Sequence, residues 1–337
     1  MSCYIIGCGA ALPERVVTNE ELAPALGVAP DWIEANSGIR ERRWVNAEQS
    51  ASELAVMAMR DALIDAGVNA AQLDYLIGGT LSPDYQVPGI APLVQRKLEG
   101  CRQIPAVDVR VGCAGILYSL QLARALVESG AASTVACFGA EAQSKGLDIS
   151  QRSAELSMLF GDGAGAVIIS RERGQSGLAL RIDDVLIATD GNFAADLIVR
   201  APGTANGARW FDREQREERL HYGAMNGRSV ILQAVRKLGD AAIEITTRNN
   251  ITLDQIDVIV PHQANANLLR ALGKRLAISE ERIVMNVDRY GNTSGASAFL
   301  ALHQTQHEKR LQPGARVLIL AFAAGFTWGA ALCQVEN

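Results

Sequence analysis

Three stretches of this chain recur, in the same order, roughly 180 residues further on. AAQLDYLIGGT (70–80) is echoed by LDQIDVIVPHQ (253–263), each with an x-Q-(L/I)-D header running into an apolar strand. VDVRVGCAGILYSLQLA (107–123) is echoed by NVDRYGNTSGASAFLAL (286–302): a Val-Asp strand end, a glycine, a small polar residue, then a helix. SGAASTVACFGAEA (129–142) is echoed by PGARVLILAFAAGF (313–326). Aligning Asp74 with Asp257, Cys113 with Asn292 and Phe138 with Phe322 gives offsets of 183, 179 and 184 residues. The chain therefore reads as a duplicated α/β unit joined near RERGQSG (171–177), with halves 1–172 and 173–337. Length agrees, because 337 residues exceed what one hydrophobic core usually supports.

YLIGG, PAVDV and STVACFG are short, apolar on both faces and separated by helical stretches, the pattern of strands buried beneath helices on both sides. DWIEANSG and ASELAVMAMRDALIDAG carry apolar residues at helical spacing. VLILAFAAGFTWGAALC (317–333) is too short to span a membrane and is broken by Gly325 and Gly329, so it reads as two core strands with a tight link. The charge-dense stretch 208–230 reads as a solvated surface loop. A net charge of −5 provides no basic field for nucleic acid or an anionic membrane. Six scattered cysteines without a CxxC pair suit a reducing cytoplasm. The N-terminus has no basic region and meets Pro13 too early for a signal peptide.

Cys113 lies between two glycines where a strand gives way to a helix. A free cysteine there is commonly a small packing residue. The first turn of a helix, however, offers unpaired N–H groups and the positive end of the dipole, which favour thiolate. The duplication sets equivalent helix starts near a pseudo-twofold axis. Cys113 and Asn292 then become neighbours, with His262 of PHQAN on the same rim. Asn292 also has the chemistry of a helix N-cap, and the two roles are compatible. FGDGAGAVII is no dinucleotide fingerprint, since its glycines precede a strand instead of opening a helix, and a close-packed turn fits better. His303 and His307 have the i, i+4 spacing of zinc ligands, but no Glu base or third ligand accompanies them, so an exposed helix face is expected and no metal.

GCAG, PHQAN, YGNTSGAS, FGDGAGA and the closing GFTWGAAL together resemble β-ketoacyl-acyl-carrier-protein synthase III, the initiating ketosynthase family of the thiolase superfamily, over essentially the whole chain. The resemblance implies a thiolase-like five-layered αβαβα fold, a homodimer and a Cys113–His262–Asn292 site. A thiolate suits thioester chemistry, because acyl transfer between sulfurs is nearly balanced. The amides of Cys113 and Gly325 are the expected oxyanion donors, while His262 Nε2–H and the Asn292 amide would hold the enolate left by malonyl decarboxylation. Such a reaction takes coenzyme A thioesters as substrates and needs no metal or redox cofactor. Trp32 is expected to stack on the adenine of coenzyme A with Arg152 on its other side, and Gly227 and Asn265 to line the substrate channel. Val87 stands where relatives cap the partner subunit's acyl pocket, and acetyl-specific members carry Phe there, so an acyl group longer than acetyl is expected. Asn36 and Asn267 replace basic residues of carrier-protein-dependent members, which leaves malonyl-ACP or malonyl-coenzyme A as the second substrate. The expected reaction is a decarboxylating Claisen condensation. The alternative is an acyltransferase or a quinolone-type condensing enzyme of secondary metabolism, which TLSPD (80–84) resembles.

Overall fold

The x-Q-(L/I)-D headers are one device used twice. Gln72 and Gln255 each accept the N–H of the residue capping a short 3-10 turn, Asn69 for Ala70–Gln72 and Thr252 for Leu253–Gln255. The aspartate two residues on then fixes a strand register. Asp74 accepts the Thr134 N–H at 3.0 Å and Asp257 that of Arg316 at 2.8 Å, and each returns its own N–H to the same partner's carbonyl. Tyr75 is thereby set beside Val135, and Val258 beside Val317, in parallel ladders.

The computed structural model describes residues 2–174 and 178–336. Its main sheet contains β1 (Tyr4–Ala11), β2 (Tyr75–Gly79), β3 (Ala106–Asp108), β4 (Thr134–Glu141), β5 (Gly163–Ser170), β6 (Leu180–Thr189), β7 (Val258–Pro261), β8 (Arg316–Ala323) and β9 (Thr327–Val335). The order is β7-β8-β9-β6-β1-β5-β4-β2-β3. Reading outward from the short β1–β6 junction, each half runs through two antiparallel pairings and then a parallel one. That is the pseudo-twofold relation expected of the echo.

Strand alternation builds the layers. Val135 and Cys137 of β4, with Val317 and Ile319 of β8, face a central core that holds helices Gly115–Glu128 and Ser297–His307. Ala136 and Phe138 face outward onto helices Ala51–Ala66 and Ile90–Lys97. Leu318 and Leu320 face outward onto Gly227–Arg248 and Ala266–Leu276. Helix, sheet, helix, sheet and helix give the five-layered αβαβα arrangement. Each fully buried Leu or Phe side chain contributes about 1.5–3 kcal/mol over leaving it exposed.

Two of the three alignments shift. The ladders pair Gly78 with Phe138 and Pro261 with Leu320, so Leu320 is the counterpart of Phe138 and Phe322 lies two residues beyond it on the same face. The 3-10 turns Gly112–Ala114 and Ser294–Ala296 precede equivalent helices, so Cys113 corresponds to Gly295 and Asn292 stands three residues earlier. The second Val-Asp is also no strand end. Gln263 Oε1 accepts the N–H groups of Asn286 and Val287, which opens a short helix, Val287–Tyr290, and only an Ile259–Ile283 bridge marks the missing strand.

The apolar run 317–333 forms the β8–β9 hairpin, and no helix among the described residues is long and apolar enough to cross a membrane. The expected boundary at 172/173 lies in the β5–β6 link, and residues 175–177 of RERGQSG fall outside the described residues. The charge-dense stretch 208–230 is a largely exposed segment only as far as 218, with a short helix, Arg213–Glu217, anchored by buried Gln215; beyond it, Gly223–Met225 is a strand and helix Gly227–Arg248 begins, so its end is no surface loop. The glycines of FGDGAGA lead into β5, and Gly165 packs against Phe299. His303 lies 3.3 Å from Asp61 across the helix layer, which makes it half-buried instead of exposed, whereas His307 is exposed.

Candidate active site

Cys113 is delivered by a turn that only a few residue types tolerate. Gly112 holds φ +57°, a left-handed conformation that glycine adopts without steric penalty, and a side chain there would press on Leu81. Helix Gly115–Glu128 follows at once. The thiol donates to Ser294 Oγ at 3.6 Å, a contact between the two halves. The expectation of a lowered thiol pKa is corrected here. Burial pushes the Cys113 thiol up to about 12, and the nearby Glu141 carboxylate adds to the rise, outweighing the bond to Ser294 and the thiol's own N–H.

Glu141, absent from the sequence reading, is fully buried at the end of β4. It accepts from Leu81 N, Thr80 Oγ1, Ser82 Oγ and Gln143 Nε2, and from Gly295 N across the pseudo-axis. Burial raises its carboxyl pKa against those donors. Gly139 beside it has no room for a side chain, since a Cβ would lie 2.2 Å from the Gly295 carbonyl oxygen. This strand end thus positions the 294–296 turn.

His262 follows β7, with its N–H donated to Leu320 O at 2.7 Å and its ring Nδ1 hydrogen-bonded to Ser297 Oγ. Burial drives the imidazole down to about 3, so it is neutral at working pH. Gln263 is a second residue that sequence reasoning missed. It is fully buried, donates to Pro261 O and Val284 O, and accepts from Asn286 and Val287, which ties the His262 loop to the next segment. Asn292 is held by its backbone between Leu159 O and Gly161 N. Its Oδ1 accepts the Ser294 N–H at 2.8 Å, so the amide does cap the following turn, and Nδ2 is left for other work.

One cavity of about 420 Å³ is lined by Cys113, His262 and Asn292, and also by Trp32, Gly227 and Asn265. Its wall is apolar: Leu197, Met225, Val230, Ala234, Leu238 and Phe322 contribute. The i, i+4, i+8 run of Val230, Ala234 and Leu238 on helix Gly227–Arg248 was a readable signal for that wall. Asn265 lines the cavity but spends its amide structurally. Oδ1 caps its own helix at Asn267 and Leu268, and Nδ2 donates to Asn36 O. Three expected residues lie outside the lining. Arg152 is exposed on the 3-10 turn Gln151–Ser153, outside the lining that half-buried Trp32 joins. Val87 is 86% exposed. Gly325 sits in the β8–β9 link next to the lining, and its N–H has no hydrogen-bond acceptor among the described residues.

The family description 3-oxoacyl-[acyl-carrier-protein] synthase III matches residues 107–191, and its C-terminal counterpart matches residues 246–335. A β-ketoacyl-[acyl-carrier-protein] synthase III of Nitratidesulfovibrio vulgaris is 37% identical over 328 residues, 97% of each chain. The crystal structure of a 3-oxoacyl-[acyl-carrier-protein] synthase III from Aquifex aeolicus superposes with a TM-score of 0.87 at 32% identity, covering 98% of this chain and 99% of that one. The priming β-ketosynthase of the R1128 polyketide pathway gives 0.85 at 27% identity, covering 99% and 96%. A duplicated five-layered fold, a cavity that gathers one residue from each of three loops and full-length similarity agree: the chain belongs to the β-ketoacyl-[acyl-carrier-protein] synthase III family of thiolase-fold condensing acyltransferases.

Proposed function

We propose that the chain condenses an acyl-coenzyme A primer with a malonyl thioester through an acyl-enzyme on Cys113. The supporting observation is the single cavity reached by a thiol, a neutral imidazole and a side-chain amide. Sγ attacks the thioester carbonyl, the Sγ–acyl bond forms, the bond to coenzyme A sulfur breaks, and the thiol proton leaves with that sulfur. The thiol pKa is raised, so the proton moves as the attack proceeds. Malonyl thioester then loses carbon dioxide, and its C–C electron pair passes to the thioester oxygen as an enolate. His262 Nε2–H and Asn292 Nδ2 donate to that oxygen. The enolate carbon attacks the acyl carbonyl, the C–Sγ bond breaks, and the departing Cys113 thiolate takes a proton from solvent to restore the thiol. The amides of Cys113 and Gly325 serve as the oxyanion donors of the acyl steps. None of these steps calls for a metal or redox cofactor.

Two features bear on the substrates. Neutral Asn36 and Asn267 stand at the mouth, where Asn267 Nδ2 donates to Ala35 O and Asn36 Nδ2 to Trp32 O. They hold the Trp32 helix (Pro30–Ser37) and offer no charge to an acidic carrier protein. Arg270 donates to Asn267 Oδ1 and Arg228 joins the lining, so positive charge remains nearby, and the malonyl donor is malonyl-ACP or malonyl-coenzyme A, with Trp32 at the nucleotide end and Arg152 as its expected second face. The homodimer reading draws on β3 at the sheet edge beside exposed Val107, Tyr85 and Val87. Val87 of one subunit would then cap the other's acyl pocket, leaving room for a primer longer than acetyl. The six free cysteines fit a cytoplasmic enzyme. An acyl-transferring or quinolone-type relative in secondary metabolism is the alternative, favoured by the similarity to a polyketide priming ketosynthase. Adding malonyl-coenzyme A to isolated acyl-enzyme separates condensation from simple acyl transfer, and the acyl group of the product separates the quinolone-type reading. Carbon dioxide release with a β-ketoacyl product supports condensation, and acyl transfer without carbon dioxide refutes it.

A further inference from the structure

We infer that Ser297 is a positioning residue that fixes the tautomer of His262, keeping the ring hydrogen on Nε2. This rests on the proposed role of His262 as a neutral donor. Ser297 opens helix Ser297–His307 and is 1% exposed. Its Oγ meets His262 Nδ1 and accepts the Gln263 N–H at 3.2 Å.

Two proton arrangements fit the contact. If Nδ1–H donated to the serine, Oγ would accept twice and its own hydrogen would need another acceptor. A helical serine commonly gives that hydrogen to the carbonyl four residues back, here Thr293, but no such bond forms. Among the described residues no acceptor other than the imidazole takes it. If instead the hydroxyl donates to Nδ1, both Nδ1 and the serine hydroxyl are satisfied, as buried groups require. Nε2 then carries the ring hydrogen. His262 lines the cavity while Nδ1 is tied to Ser297, so Nε2 is the nitrogen left to donate there. Burial keeps the ring uncharged, so this hydrogen marks a tautomer and not an imidazolium. The bonds of Gln263 to both flanking segments hold the pair in register.

The test is nitrogen-15 NMR of the whole protein with labelled histidine. The chain has four histidines, so a difference spectrum against His262→Ala identifies the His262 ring. In wild type, Nε2 should show as protonated and Nδ1 as a hydrogen-bonded acceptor. Ser297→Ala should move the Nδ1 signal or share the hydrogen between the nitrogens, and slow malonyl decarboxylation roughly 10–100-fold, as loss of an imidazole-orienting partner typically does. Ser297→Thr, which keeps a hydroxyl, should restore both. A wild-type ring protonated on Nδ1, or a folded Ser297→Ala protein with both nitrogens unmoved, overturns the inference, and the wild-type spectrum decides it even where the alanine variant fails to fold. An intact Nε2–H tautomer together with decarboxylation that His262→Ala does not slow would overturn the functional reading alone.

Discussion

The turns Gly112–Ala114 and Ser294–Ala296 are one backbone device with two chemistries. Both begin with a left-handed residue, Gly112 at φ +57° and Ser294 at φ +46°, and both launch a helix of the central layer. The first turn presents Cys113, whereas the matching position of the second is Gly295, whose N–H is consumed by Glu141. The loops after β2 and β7 differ in the same way. By ladder register Gly79 occupies the place of His262 and Thr80 that of Gln263. Duplication supplied the frame twice; in the proposed mechanism the nucleophile lies in one copy and the neutral donors in the other. A site at the junction of unlike halves can tune each group separately.

The largest effect that would sharpen this division falls on the second half. His262→Ala and Asn292→Ala should each slow malonyl decarboxylation by ~10²–10³, the usual cost of one lost donor to a developing oxyanion. Acylation of Cys113 should change far less, as a single-turnover mass measurement can show. Equal losses in both steps would mean that these residues activate the thiol, and the division between halves would fail.

Next in size is the cap. Val87→Phe should cost about 1–3 kcal/mol, a tenfold to hundredfold loss, for acyl groups that reach the end of the pocket. Acetyl-coenzyme A should be nearly unaffected. Superimposable chain-length profiles for variant and wild type would remove the support for a long primer.

The frame was legible because its signals are local. Periodicity gave the strands and helices, and paired Gln-Asp headers gave the duplication. The duplication's pseudo-twofold symmetry and the family resemblance pointed to Cys113, His262 and Asn292 on one rim, and one cavity holds all three. The echo was misaligned at Phe322 and Asn292 because strand alternation tolerates a shift of two, and because small residues around each turn align almost equally well with neighbouring positions. The thiol pKa was misjudged for a different reason: helix-start stabilisation is visible in sequence, whereas desolvation and the approach of Glu141 depend on tertiary packing. Glu141, Gln263 and Ser297 were missed because each acts through groups brought near only by folding, and a lone polar residue beside a strand or helix end carries no pattern.

Two smaller effects follow from the same contrast. His262 has a folded-state pKa of about 3 against an ordinary 6.5, so its contribution to stability is fully present above about pH 6.5 and is lost as pH falls toward 3. Decarboxylation should accordingly show no inflection from His262 between pH 5 and 8 in a pH–rate profile with independent stability controls. A bend there that disappears in His262→Gln would place its pKa in the ordinary range. Gly112→Ala should cost about 1–2 kcal/mol in denaturant unfolding, the penalty of a left-handed non-glycine residue. No loss would show that the two turns are not equally constrained.

The central claim is that one thiol, placed by the first half, carries the acyl group. Peptide mapping of the protein after brief exposure to an acyl-coenzyme A tests it most directly. The account predicts a single mass shift on the peptide containing Cys113, with none on Cys8, Cys137 or Cys333 in the buried strands, and none anywhere in Cys113→Ala. Acylation of the Cys113→Ala protein at the wild-type rate would contradict it.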